Sequence, residues 1–281
     1  MEKKFNPFSP TVPQVLEFLN DYFKTGVGYS ALNTARSALS SIITLPGNVT
    51  IGEHPLVKRF MRGIFNIKPS LPRYTTTWDV SVLLKYLESV DNAQSSLKEL
   101  TFKLCTLIAI LSGQRVQTLK ALKVTNVIFK DRHLSIYVDS LLKQTRPGRH
   151  FKALEFEAYS NPNLCVLRTL EIYLNRTSKI RGSNELFISY ARPHGSVGTE
   201  TISRWIRLTL EKAGVDVSTF KAHSTRSASA SALASAGVPV DSILQMIGWS
   251  NANTFARFYN KEITRSRTFD EELLKASSSD G

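Results

Sequence analysis

The sequence predicts a mainly α-helical chain with a small antiparallel β-sheet, arranged as an N-terminal helical domain followed by a larger α+β domain. Three observations carry this. Apolar residues recur at helical spacing through most of the chain, as at Val12, Val15, Leu16, Leu19 and Phe23. One region, Val124 to Glu157, instead alternates and is rich in β-branched residues. Within the helical pattern, residues 66–77, NIKPSLPRYTTT, have two prolines, two basic residues and no helical period, and read as an extended linker. The boundaries drawn are a helical domain at 1–66, a linker at 67–77, a large domain at 78–263 and a tail at 264–281.

Composition limits the function. A chain of 281 residues with 42% hydrophobic content can bury a proper core and is no disordered tail. Its 36 basic and 23 acidic residues leave a net charge of +13, which favours a polyanionic partner; the other account is a basic, solubilising surface. Cys105 and Cys165 sit in apolar runs without metal-ligand spacing and read as buried free thiols of a reducing compartment. The opening Lys3-Lys4-Phe5-Asn6-Pro7 is not a signal peptide, and no apolar stretch approaches transmembrane length. The expectation is an intracellular protein without a membrane partner. There is neither a P-loop pattern nor a cluster of metal-binding carboxylates, so no cofactor and no metal are expected.

In the N-terminal domain, Thr11 with Pro13 just inside starts the first helix, which ends near Gly26 and Gly28. Ser30 is expected to cap a second, with Leu32, Ala35, Leu39, Ile42 and Ile43 inward and Arg36 off that face. Pro46-Gly47-Asn48 breaks it. His54-Pro55 opens a third, with Val57, Phe60, Met61, Ile64 and Phe65 inward and Lys58, Arg59 and Arg62 outward.

In the large domain, Thr77 or Asp79 starts a helix through Leu83 and Leu87. A longer helix runs from Ser96 to Ser112-Gly113, and Gln114-Arg115 begins the next. Val124–Lys130, Leu134–Asp139 and Phe151–Glu157 read as three antiparallel strands, the last two joined by the basic turn SLLKQTRPGRH. Helices follow at Leu164–Arg176 and from Thr199 to Gly214, the latter with Trp205 between Arg204 and Arg207. Trp205 reads as core, base contact being the alternative.

The chemistry concentrates in Lys221–Lys261, KAHSTRSASASALASAGVPVDSILQMIGWSNANTFARFYNK. It holds an arginine to neutralise a phosphodiester, a histidine to move a proton or donate a hydrogen bond, and a tyrosine to attack. Arginine's planar fork suits two phosphate oxygens at once. A tyrosine hydroxyl needs neighbours that stabilise its charge before it serves as a nucleophile. The order His223-Ser224-Thr225-Arg226, Gly248-Trp249, then Tyr259 resembles the C-terminal half of the tyrosine recombinases, the phage-integrase-like family. Arg257-Phe258-Tyr259 after Trp-Ser-Asn looks most like recombinases of eukaryotic DIRS or crypton-type mobile elements.

The resemblance covers essentially the whole chain. It implies a SAM-like core-binding domain that clamps DNA, joined to a catalytic domain. In LSGQRVQTLKAL it matches Arg115 to the family's first catalytic arginine, and in the basic turn it matches Lys143 to the hairpin lysine that protonates the leaving 5′ oxygen. It implies that Arg115 and Arg226 hold the non-bridging oxygens, that His223 handles the proton near Tyr259, and that Trp249 packs the site. Tyr259 would attack phosphorus, giving a 3′-phosphotyrosyl link without metal or ATP. Arg36, Lys58, Arg59, Arg62, Arg73, Arg146, Arg149, Arg204, Arg207 and Lys221 would contact the backbone, or else form solvated basic faces. Two positions depart from the family pattern. Thr118 stands where an acidic residue is usual, and Trp249 to Tyr259 is one residue longer than the common bacterial spacing. The expected partners are double-stranded DNA and the protein itself, a monomer when free and a tetramer on paired sites. The place of work is nuclear if the host is eukaryotic. Two other readings remain: a retired recombinase scaffold that only binds DNA, and a type IB topoisomerase-like relaxing enzyme.

Overall fold

Local signals set most of the helix ends. In the computed structural model, which describes residues 9–69, 74–142, 145, 153–249, 255–256 and 261–264, the chain forms two compact units, Met1–Arg73 and Tyr74–Gly281. The first unit holds α1 (Val12–Lys24), α2 (Tyr29–Ile42) and α3 (Pro55–Ile67). At α1 the Thr11 amide donates to Gln14 Oε1 at 2.8 Å as half of a capping box. Ser30 is not a cap: Gly28 takes that position with extended backbone, and α2 begins one residue before Ser30. At α3 the Leu56 amide donates to His54 Nδ1 at 3.3 Å, with Pro55 in the first turn. The Pro46-Gly47-Asn48 break closes a hairpin of β1 (Thr44–Leu45) and β2 (Val49–Thr50), because Gly47 and Asn48 both adopt positive φ (81° and 60°). Val15, Leu19, Leu32, Ile51, Val57, Met61 and Ile64 form the buried core of this unit.

The second unit contains β3 (Thr76–Trp78), α4 (Val80–Ser89), α5 (Leu97–Ser112), α6 (Val116–Ala121), β4 (Val127–Lys130), β5 (His133–Tyr137) and β6 (Ala153–Glu157). After these come α7 (Val166–Thr177), α8 (Thr199–Lys212), α9 (Ser224–Ser235), α10 (Val240–Ile247) and β7 (Glu262–Thr264). Helix α5 is the centre of the unit, buried from Leu100 to Ile110 and packed against α6, α7, α8 and α9. Ser96 and Glu99 close its start with a reciprocal capping box. Strands β4, β5 and β6 form an antiparallel sheet in that order, with Leu134 opposite Phe156; Val124–Asn126, read as strand from the sequence, is a 3-10 turn. Trp205 is core, stacked on Phe102 with ring centroids 5.7 Å apart. Such a pair contributes about 1 kcal/mol beyond its area.

One pairing lies outside the sequence expectation. β3 and β7 run parallel, with Thr76, Thr77 and Trp78 opposite Glu262, Ile263 and Thr264. The end of the stretch read as linker and the first residue of the stretch read as tail thus belong to one ladder. Three-residue strands carry too little pattern to announce themselves, and their partners are far apart in sequence. Both cysteines are buried free thiols, and burial raises the Cys105 thiol far above its ordinary range. Among the described residues, no helix is long and apolar enough to cross a membrane.

Candidate active site

The site forms where the ends of α5 and α10 meet the start of α9. Helix α5 stops at Gly113, whose φ of 59° is left-handed and whose position leaves no room for a side chain: a Cβ there would sit 2.9 Å from Ile247 Cγ1. Helix α10 stops in the same way at Gly248, φ 75°, and the Trp249 amide donates to the Leu244 carbonyl at 2.8 Å. Gln114 bridges the two ends. Its Nε2 donates to the Ile247 carbonyl at 3.3 Å, and its Oε1 accepts from Thr118 Oγ1 at 3.3 Å. Thr118, which stands where the family usually has an acidic side chain, is therefore a buried hydroxyl that orients Gln114. The sequence reading missed Gln114; its place between Gly113 and Arg115 was the available signal.

Arg226 lies in the first turn of α9 and is fully buried. Its Nη1 donates to the Gly113 carbonyl at 2.7 Å, and its guanidinium carbon stands 4.7 Å from the centroid of the Trp249 ring. Burying a charge is costly, and a carbonyl dipole and an aromatic face both offset that cost; a desolvated cation–π contact contributes about 2 kcal/mol. The Ser/Ala sequence of α9 makes the approach possible, since Ser224 through Ser231 are all buried and none is large except Arg226. Two of its hydroxyls also serve as anchors. Trp78 Nε1 donates to Ser224 Oγ at 2.9 Å, and the Lys261 amide donates to Ser231 Oγ at 3.1 Å.

The described site residues fall as follows. Arg115 is half-buried at the N-cap of α6, directly after the Gly113-Gln114 turn, and His223 is exposed at the N-cap of α9, three residues from Arg226. The structure thus brings the turn bearing Arg115, the His223–Arg226 box and Trp249 to one junction. Lys143, Tyr259, Arg73, Arg146 and Arg149 lie outside the described residues.

In the first unit, Arg36, Lys58 and Arg62 line a hollow of about 390 Å³ together with Tyr29 and Asn33. Arg36 is also tied inward, donating to the Gly52 carbonyl at 2.9 Å and to Asn33 Oδ1 at 3.0 Å. Arg59 is exposed on α3 outside that hollow. Arg204 and Arg207 are exposed on α8, while Lys221 spends its ammonium on the Val217 and Ser218 carbonyls at 2.9 and 2.8 Å.

Residues 74–265 match the model of the phage integrase family. The chain is similar in fold to the XerH site-specific recombinase in a post-cleavage complex with a palindromic difH substrate (TM-score 0.60, 18% identity, covering 96% of this chain and 72% of that one). It is also similar to the Tn1549 transposon integrase in complex with transposon right-end DNA (TM-score 0.61, 13% identity, 95% and 85% covered). A third likeness is to a lambda integrase tetramer bound to a Holliday junction (TM-score 0.51, 16% identity, 92% and 67% covered). No curated protein matches the chain in sequence.

Proposed function

The chain belongs to the phage integrase family and is a tyrosine-type DNA recombinase, and we propose that it cuts and rejoins double-stranded DNA through a 3′-phosphotyrosyl intermediate at Tyr259. The observation that carries the reading is the Arg226 junction, where one buried guanidinium joins the Gly113 turn to Trp249. In the proposed step the Tyr259 oxygen bonds to phosphorus as the bond from phosphorus to the 5′ oxygen breaks. The phenolic proton leaves toward His223, and Lys143 protonates the departing 5′ oxygen. Arg115 and Arg226 stabilise the charge that grows on the non-bridging oxygens. One phosphoester replaces another, so the bond energy is kept for rejoining to a new 5′ hydroxyl, and the exchange asks for neither ATP nor a metal.

The net charge of +13 and the exposed Lys58, Arg59, Arg62, Arg204 and Arg207 support backbone binding. The similar lambda integrase, seen as a tetramer on a Holliday junction, supports assembly of four copies on paired sites. Work on DNA implies an intracellular setting, and the resemblance to eukaryotic mobile-element recombinases makes the nucleus the expected one. Covalent trapping tests the chemistry. Wild type mixed with nicked duplexes and then denatured should carry DNA, and Tyr259→Phe should carry none. An adduct-free wild type that still binds duplex tightly favours the DNA-binding scaffold, for which Thr118 in place of an acidic residue is the supporting observation.

A further inference from the structure

Lys261 follows Tyr259 by two residues, and the described structure gives it three contacts. Its amide donates to Ser231 Oγ at 3.1 Å, its ammonium donates to the Tyr74 carbonyl, and the same ammonium lies 4.2 Å from the centroid of the Tyr74 ring. Tyr74 is itself held edge-on against Phe220, with centroids 5.4 Å apart, and begins the stretch that becomes β3. The residues after Lys261 form β7, in register with β3, and β3 is anchored to α9 through Trp78 and Ser224. This point of the chain is fixed from several sides.

The upstream side is fixed as well. Phe255 is 2% exposed and shares one apolar cluster with Ala230, Ile243, Ile247 and Trp249, its ring 5.9 Å from the Trp249 ring. Ala230 and Ser231 are consecutive residues of α9, the helix that carries Arg226. The described residues on either side of Tyr259, Phe255 and Lys261, are therefore held at neighbouring residues of one helix. Four to five residues of helix separate those points from Arg226, a rise of about 7 Å. Two residues of extended chain span at most about 7 Å, so holding Lys261 limits how far the Tyr259 backbone can stand from it.

We infer that Lys261 is a positioning residue for DNA cleavage: by binding Ser231 and Tyr74 it fixes the downstream end of the segment that presents Tyr259 to the phosphate beside Arg226. The inference rests on the Tyr259 reading. Nucleophile and phosphate must meet in a narrow range of geometry, and displacement by about 1 Å can cost about a hundredfold in rate. Lysine combines a stem long enough to cross to Tyr74 with a head that serves both a carbonyl and a ring face.

The test is single-turnover covalent-adduct formation on nicked duplex, for wild type, Lys261→Met, Lys261→Arg and Ser231→Ala. Methionine keeps the stem and removes the ammonium. Lys261→Met should retain the wild-type melting midpoint and DNA affinity while its rate at saturating DNA falls by about ten- to a hundredfold. Lys261→Arg, which can still donate and stack, should recover most of the rate. The loss should persist on duplexes with sulfur at the 5′ bridging position, where the leaving group needs no proton, because the defect lies in the attack. Should Lys261→Met fold poorly, Ser231→Ala, which removes only the hydroxyl under the Lys261 amide, should fold and slow the same step about threefold. Wild-type rates at saturating DNA for both Lys261→Met and Ser231→Ala overturn the inference. Recovery of Lys261→Met on the sulfur-substituted duplex overturns it too, assigning Lys261 to leaving-group protonation. Wild type without any adduct overturns the Tyr259 chemistry first, and this inference with it.

Discussion

Arg226 makes two demands that only an arginine meets together. The Nη1–Gly113 bond at 2.7 Å uses one corner of a planar group, while the contact with Trp249 at 4.7 Å uses its face. A lysine could reach the carbonyl or stack on the ring, but has no fork with which to address phosphate oxygens in pairs. Arg226→Lys is expected to bind DNA and to lose about a hundred- to a thousandfold in single-turnover cleavage, the scale of losing a preorganised transition-state donor. Cleavage within a few-fold of wild type would remove Arg226 from the chemistry. The motif residues at this junction were legible because their order along the chain is specific. The supporting contacts were not: Gln114's place beside Arg115 points to it, but does not say that its amide will hold the end of α10. Ser224 and Ser231 were read only as small residues that allow close packing, since a hydroxyl's partner cannot be seen from a run in which every residue is small.

At the scale of elements, the ends were easier to read than the joints. The caps at Thr11, Ser96 and Asp79 are local signals, each fixed by residues within one turn. The parallel β3–β7 pair is non-local, and no periodicity reveals it. Lys103 is another joint that the apolar pattern of α5 conceals. Its ammonium is buried among α5 and α4 and donates to the carbonyl of Val90, which caps the end of α4. Desolvation by burial pulls it down to about 8 from its ordinary 10.5. A depressed lysine is harder to charge folded than unfolded, so folding carries this cost below about pH 8 and sheds it as the pH rises toward 10.5. In denaturant titrations, wild type should therefore gain stability relative to Lys103→Met across that interval. Parallel pH profiles for the two would show that Lys103 does not titrate in that range.

At the scale of the molecule, the excess of 13 positive charges is a statement about phosphate. Neutralising a phosphate releases condensed counterions, so each basic side chain that touches the backbone adds about 0.9 to the slope of log affinity against log salt. Lys58 and Arg62 line the hollow of the first unit and are exposed, so replacing either with alanine should reduce that slope by about 0.9 and weaken binding on every sequence alike. An unchanged slope would make them solvated charges on an α3 face. The two-unit architecture and the helix-with-small-sheet class were readable from pattern and composition, whereas which basic residues face a common hollow depended on how α2 and α3 pack.

The proposed chemistry joins Tyr259 covalently to DNA. Trypsin cuts after Arg257 and Lys261 and releases Phe258-Tyr259-Asn260-Lys261, a peptide with a single hydroxyl-bearing side chain. Adducts trapped on nicked duplex, digested with nuclease and trypsin and read by mass spectrometry, should show a nucleotide phosphate on Tyr259 of that peptide. A nucleotide found on any other residue, or no linkage from protein that binds and resolves the same DNA, would rule out Tyr259 as the nucleophile.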